Sequence, residues 1–598
     1  VFVQGEPDYN RTDKSSGGIE MTGPAAPKDP EKARPFFYIL KDKDVFGERQ
    51  KDGTGIQFIY ESDGRLINSA QITGNVTDKE ELTLLETVEG FGRLVHSIGV
   101  SVETDRPEET AEFVFQMYGK KDLYGGGTNL TASLKCDGME HRIYLSDYRW
   151  TEDDHVPGQI KILFAAPERM GKVSVRLFLN DGYEAPPEEE DLVIDMHSEE
   201  YCGMISRSLL QLGNPYRIRK AIEKSKAGKE VTLAYIGGSI TQGAGAIPIH
   251  TECYAYKSFQ LFRNRFSTQN NVRFIKAGVG GTPSELGMIR FDRDVLREGE
   301  RPDIVVIEFA VNDEGDETKG VCYESLVRKV LKLPWKPAVV LLFSVFANDW
   351  NLQERLRPVG DLYDLPMVSI RDAVTPQFSL KCGEGRILSK NQFFYDIFHP
   401  NNTGHTIMAD CLQYLFERCD AAEPARVGTF VEGMTEEQIL SEKLFGPAVI
   451  GADFERIFLL DKKNRYVGAK IRAGGFTSTD MELQSVEMDG NLTQIPEFPY
   501  NWMYDGSRLQ MPGFEMEITC KSLFLIFKDS GEMDVGKADV FVNDVYCMTA
   551  DPHKNNWLHC NAVLLFWETE SRSHKVRIAV TEEDRNKKFT ILGFGYTI

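Results

Sequence analysis

Across residues 206–425 the chain alternates runs that are apolar on nearly every residue with segments of helical length. That alternation restricts the fold more than any other feature. The runs are VTLAYIG, VRFIKAG, DIVVIEFA, AVVLLFSVF and PMVSI, and strands without polar alternation are strands covered on both faces. An α/β domain follows, with a parallel sheet between two helix layers. In such sheets ligands bind beyond the carboxyl ends of the strands, so the polar residues at those ends are where chemistry is expected.

A single core rarely grows past about 250–300 residues, so a chain of 598 is expected to divide. Residues 1–35, polar and rich in Gly, Pro, Lys and Asp, read as a flexible lead-in. Residues 36–205 repeat short alternating runs between turn signals, among them GIQFIYESDG, AEFVFQMYG and KVSVRLFLNDG, which favours an antiparallel β-sandwich. A charged connector, 426–446, leads to a second sandwich over 447–598, whose strands are KSLFLIFKDSG, KADVFVNDVYCM, HKVRIAV and FTILGFGYTI. The two sandwiches share no convincing repeat.

Composition removes several function classes. With 91 acidic against 69 basic residues, a net charge of −22 and no Lys/Arg stripe, nucleic acid and anionic membrane are poor partners. No apolar run approaches the ~20 residues of a membrane span. The ten cysteines are scattered without a CxxC pair, which suits reduced thiols and points to the cytoplasm; a secreted form with its signal removed stays open. The ten histidines show no HExxH, and GGSITQGAGA lacks both the Lys-Ser/Thr of a P-loop and the GxGxxG spacing. No metal, nucleotide or other cofactor is expected.

The strand ends of the middle domain carry a consistent set of groups. AYIGGSITQGAGA places Ser239 in a Gly-rich turn after the first strand; AGVGGTPS follows the second, FAVND supplies Asn312 after the third, and DIFHPNNTGH supplies Asp396 and His399 before the last helix. Serine-based acyl transfer needs these residue types. A serine hydroxyl becomes a nucleophile when a neutral histidine takes its proton, and a carboxylate on the other ring nitrogen fixes the tautomer. Backbone N–H groups and a side-chain amide then stabilise the oxyanion, each donor contributing about 10² to 10³ in rate.

The four blocks together resemble those of the SGNH (GDSL-like) hydrolases. The resemblance covers about 200 residues of the middle domain and implies a flavodoxin-like three-layer fold, with Ser239 as nucleophile and first oxyanion donor. It further implies Gly281 as second donor, with Gly280 its neighbouring alternative, Asn312 as third donor, and His399 as base oriented by Asp396. Two departures stand out: Gly238 where the family usually has Asp, and Ala310 and Val311 where Gly is common. An SGNH domain joined to β-sandwiches is similar to microbial carbohydrate O-acetylesterases acting on acetylated mannan or xylan. A glycan substrate is therefore expected. A lipid or aryl esterase, a thioesterase, or an inactive sugar-binding protein are the alternatives.

Other residues read more plainly. Trp350, after the fourth strand, is a candidate for lining the cleft. Trp502, Trp557, Trp567 and Tyr500 could stack on sugars, although aromatics in a sandwich are more often core. His405 is expected to pack or cap in the last helix, Asp313 to sit in a turn behind the site, and Asp316 and Glu317 to lie on a solvated face. The carboxyl-terminal sandwich is expected beside the active rim, and the amino-terminal one is read as a scaffold or oligomer contact.

Overall fold

The structure, a computed structural model, describes the chain except residues 1–20, 23–31, 61–64, 74–78, 122–124, 186, 188–189, 423–435, 491–492 and 508–510. Most of the expected lead-in and the start of the connector lie outside the described residues. Connector residues Glu436–Phe445 form a helix.

Two antiparallel sheets face each other in the amino-terminal part. One has the order Glu48–Arg49, Gly55–Tyr60, Asp154–Phe164, Thr110–Gly119, Asn129–Lys135, and the other Phe36–Phe46, Met170–Leu179, Val95–Thr104, His141–Tyr144. Alternate residues such as Val100, Val102, Phe113, Phe115, Ile160, Ile162, Val175 and Leu177 point between them and form the core. The helices Arg65–Thr73 and Val88–Leu94, inserted between strands, depart from the all-β expectation. Leu85, Val88, Phe91 and Leu94 are buried at every third residue, a helical period.

The middle sheet has six strands: β1 (Leu209–Gln211), β2 (Val231–Gly237), β3 (Val272–Gly278), β4 (Ile304–Glu308), β5 (Ala338–Phe343) and β6 (Met367–Ser369), ordered β1-β6-β5-β4-β2-β3. Strands β2 to β6 are parallel; β1 joins the edge antiparallel. Every residue of β2, β4, β5 and β6 is buried, in accord with their unbroken apolar runs. Helices α1 (Tyr254–Phe266), α2 (Ser284–Phe291) and α3 (Asn402–Asp420) are among those covering the two faces.

The carboxyl-terminal sandwich is built differently from the short strands read in the sequence. Two long strands, Phe514–Asp529 and His559–Val580, pair along most of their length and serve both faces. Their pairing shifts register between Cys520 and Ser522 and between Leu523 and Phe524, and such bulges bend a strand sharply. The inner core contains Trp502, Phe514, Ile518, Leu525, Val540, Ile578 and Phe594. The other side merges with the middle domain, since Phe454, Ile457, Leu483, Phe524, Ile526 and Leu592 share one apolar cluster with Leu286, Ile289 and Val295. No described helix is long and apolar enough to cross a membrane.

Candidate active site

Strand β2 ends at Gly237, and crowding dictates glycine both there and at Gly238. A Cβ on Gly237 would stand 2.2 Å from Thr241 Oγ1, and one on Gly238 would stand 2.2 Å from Asn312 Oδ1. The Gly238 departure from the family pattern thus makes room for the Asn312 amide. Ser239 starts a one-turn helix, Ser239–Gln242, which Gly243 stops at φ 110°. Beneath it Thr241 Oγ1 meets Tyr254 OH at 2.8 Å and donates to Glu308 Oε2 at 3.0 Å. Burial pushes the Glu308 carboxyl up to about 7.

His399 Nε2 lies 2.9 Å from Ser239 Oγ, and its Nδ1 lies 2.9 Å from Asp396 Oδ2 and 3.0 Å from Oδ1. The ring is thereby held between the Ser239 hydroxyl and the Asp396 carboxylate. Asp396 Oδ1 also accepts the N–H groups of Phe398 and His399, at 2.8 and 2.9 Å, which fixes the carboxylate within its own loop. The loop closes where Tyr395 N–H donates to His399 O at 2.8 Å and Phe394 bridges to Pro400. Asn401 then caps α3 by accepting from Gly404 N–H at 3.0 Å. His405 packs as expected: its Nδ1 accepts from Tyr254 N–H at 3.1 Å and its Nε2 donates to Ala244 O.

The Gly-rich turn after β3 is clamped from both sides. Gly280 N–H donates to Gln242 Oε1 at 2.8 Å, so of the two neighbouring glycines it is Gly281 whose N–H is not committed there. Gly281 is left-handed at φ +71°, and a Cβ on it would stand 2.8 Å from Trp557 Cζ2. Gln484 Nε2 donates to Gly280 O at 3.0 Å and His559 Nε2 to Gly281 O at 3.0 Å. The carboxyl-terminal sandwich therefore touches the turn that carries Gly281. Of the four aromatics weighed as sugar platforms, Trp502 is core, Tyr500 and Trp567 are exposed elsewhere, and Trp557 alone stands against this turn.

Trp350 is half-buried and stacks on Phe346 at 5.8 Å, and Phe346 meets Phe398, next to His399, edge-on at 5.0 Å. Ser239, Gly281, Asn312, Asp396 and His399 thus converge at the ends of β2, β3 and β4, with Trp350 one aromatic layer away. Asp313 accepts from Ser284 N–H at 2.7 Å, tying the Asn312 loop to α2; burial pushes its carboxyl up to about 8. Asp316 corrects the solvated-face reading: it is fully buried, bonded to Gly320 N–H at 2.6 Å and paired with Arg355 at 3.0 Å. Glu317 is exposed and accepts from Leu564 N–H of the carboxyl-terminal sandwich.

His559 makes the contact between modules pH-sensitive. Burial pulls its pKa from 6.5 down to about 4, so the fold holds it neutral. A base whose folded pKa is depressed gives stability that is complete above its unfolded pKa and lost as pH falls toward the folded one. Between about pH 6.5 and 4 this group should account for about 3 kcal/mol of lost stability. Thermal melts across that range should fall less steeply for His559→Gln than for the parent chain. Equal slopes would remove His559 as the cause.

Residues 235–407 match the GDSL-like Lipase/Acylhydrolase family. Among solved structures, a two-domain esterase (CEX) active on acetylated mannans is similar: 23% identity over 66% of this chain and 98% of that one, TM-score 0.53. The same esterase co-crystallized with mannopentaose gives 23% identity over 66% and 97% of the two chains, TM-score 0.52. No curated protein sequence matches.

Proposed function

We propose, from the premise that residues 235–407 form a GDSL-like lipase/acylhydrolase domain, that the chain is a serine esterase removing O-acetyl groups from carbohydrates such as acetylated mannan or xylan. The observation that carries this reading is the unbroken line from Ser239 through His399 to Asp396, each contact 2.9 Å.

Ser239 Oγ gives its proton to His399 Nε2 while it bonds to the acetyl carbonyl carbon, and the carbonyl electron pair moves onto oxygen. That oxyanion is received by the N–H groups of Ser239 and Gly281 and by the Asn312 amide. Collapse breaks the bond to the sugar oxygen, which leaves with the proton from His399. A water then passes a proton to His399 and attacks acetyl-Ser239, releasing acetate and restoring the serine hydroxyl. Asp396 accepts the Nδ1–H throughout, which keeps Nε2 directed at Ser239 and stabilises the imidazolium.

The small acyl group offers little binding energy, so selectivity must come from the alcohol side. Trp557 beside Gly281 and Trp350, stacked on the Phe346 that meets Phe398, are the aromatic walls in this reading. The fold likeness to an esterase active on acetylated mannans supports a glycan over a lipid or thioester. A panel of acetylated oligosaccharides and longer acyl esters tests it: turnover restricted to acetyl sugars is expected, and preference for long acyl chains would overturn it. In the same assay Asn312→Ala should lower kcat by about 10² to 10³ with KM nearly unchanged, because its amide acts mainly in the transition state. A rise in KM alone would reassign Asn312 to substrate binding.

A further inference from the structure

We propose that Lys43, from the amino-terminal sandwich, is a positioning residue for the loop that carries Asp396 and His399, so that this sandwich belongs to the catalytic geometry. The inference rests on the esterase reading above. Lys43 lies on the strand Phe36–Phe46, and its side chain crosses into the middle domain, where the residue is 3% exposed. Its Nζ donates to Asn391 O at 3.2 Å and to Phe394 O. Phe394 is the foot of the loop, the residue that bridges to Pro400, and Asp396 and His399 lie between the two. The same sandwich and the segment after it grip the preceding turn. Asn391 Nδ2 donates to Lys41 O at 3.3 Å, and Gln392 Nε2 donates to Leu192 O at 2.7 Å.

A lysine is an expensive way to join two modules. Taking a cation out of water is costly, and a neutral side chain would fill the same space at less cost. Burial lowers the Lys43 pKa to about 8, and Asp396 opposes that shift more than Asp44, Asp191 or Asp42 does. The ammonium is thus held in part by the carboxylate that orients His399, while its bonds fix two carbonyls of the segment leading to it. Charge-assisted bonds of this kind are roughly twice as strong as neutral ones. Their loss would take from Phe394 O the donor described for it, leave Asn391 O with the Asn401 amide alone, and free the loop to shift, and a displacement near 1 Å at a catalytic group costs about 10² in rate.

The test uses the full chain and p-nitrophenyl acetate, with competent sites counted by titration with a fluorophosphonate that labels serine nucleophiles. Lys43→Met keeps the stem and removes the ammonium. The expected result is a fall of about 10- to 100-fold in kcat per titrated site, with KM within about twofold. Lys43→Gln, which keeps a donor, should fall between Met and parent and serves if the Met variant does not fold. Arg169→Ala, which breaks the Arg169–Glu109 pair within the same sandwich, should leave kcat per site unchanged. If Lys43 only glues the modules, both Lys43 variants will lose titratable sites but keep parental turnover per site, and the inference is overturned. Failure of the parent to turn over the ester, or to be labelled at Ser239, would instead defeat the esterase reading.

Discussion

Ser239→Ala and His399→Ala should each lower esterase turnover by at least about 10³, with the thermal melt of the folded protein little changed. In the proposed mechanism both side chains belong to one proton transfer, so the double variant should be no worse than the worse single one. Ser239 Oγ has one described partner on the base side, His399 Nε2 at 2.9 Å, and Asp396 in turn is bonded by two backbone N–H groups of its own loop. Removing the hydroxyl or the imidazole therefore deletes the reacting group and leaves its supports standing. Parental turnover in either purified variant would mean that another nucleophile or base does the work.

The second large effect concerns the carboxyl-terminal sandwich. A chain ending before residue 447 should fail to give a soluble, active enzyme on any ester. The sandwich does not merely lean on the rim. Its Ile457, Phe524, Ile526 and Leu592 complete one apolar cluster with Leu286, Ile289 and Val295, and Gly595 approaches Ile289 so closely that a Cβ would stand 2.6 Å from Cδ1. Fully burying one such side chain is worth about 1.5–3 kcal/mol, so uncovering several exceeds the margin of a typical domain. Truncation also removes Glu497, the fully buried carboxylate that pairs with Arg293 across the two modules. Expression of residues 1–446 with assay of p-nitrophenyl acetate and an acetylated oligosaccharide checks this; a soluble truncation that keeps ester turnover would contradict it.

The central sheet was legible because burial on both faces leaves a signature in consecutive residues. VTLAYIG and AVVLLFSVF need no partner sequence to be read as covered strands, and the candidate-site blocks follow from where such strands stop. Contacts between modules have no such signature. Lys43 is 351 positions from Phe394, and His559 is 278 from Gly281, so nothing local in KDKDVF or WLHC announces either. Asp316 misled for a related reason: in NDEGDE it stands between the exposed Glu314 and Glu317, yet its own carboxylate turns inward to Gly320 and Arg355. The polar run ETESRSHK conceals a continuous 22-residue strand because residues 569–573 are exposed, while the backbone of 572–575 pairs with residues 517–520. The buried helix at Val88–Leu94 did carry a period of three that a reading for strands passes over.

The account stands most directly on the covalent intermediate. The parent chain should be mixed with an acetylated manno-oligosaccharide, quenched in acid during turnover, digested, and its peptides weighed. The account predicts the mass of one acetyl group on the peptide containing Ser239, absent when Ser239→Ala is treated alike. Turnover of the glycan with no acetyl on that peptide, or with acetyl on another residue, would contradict it.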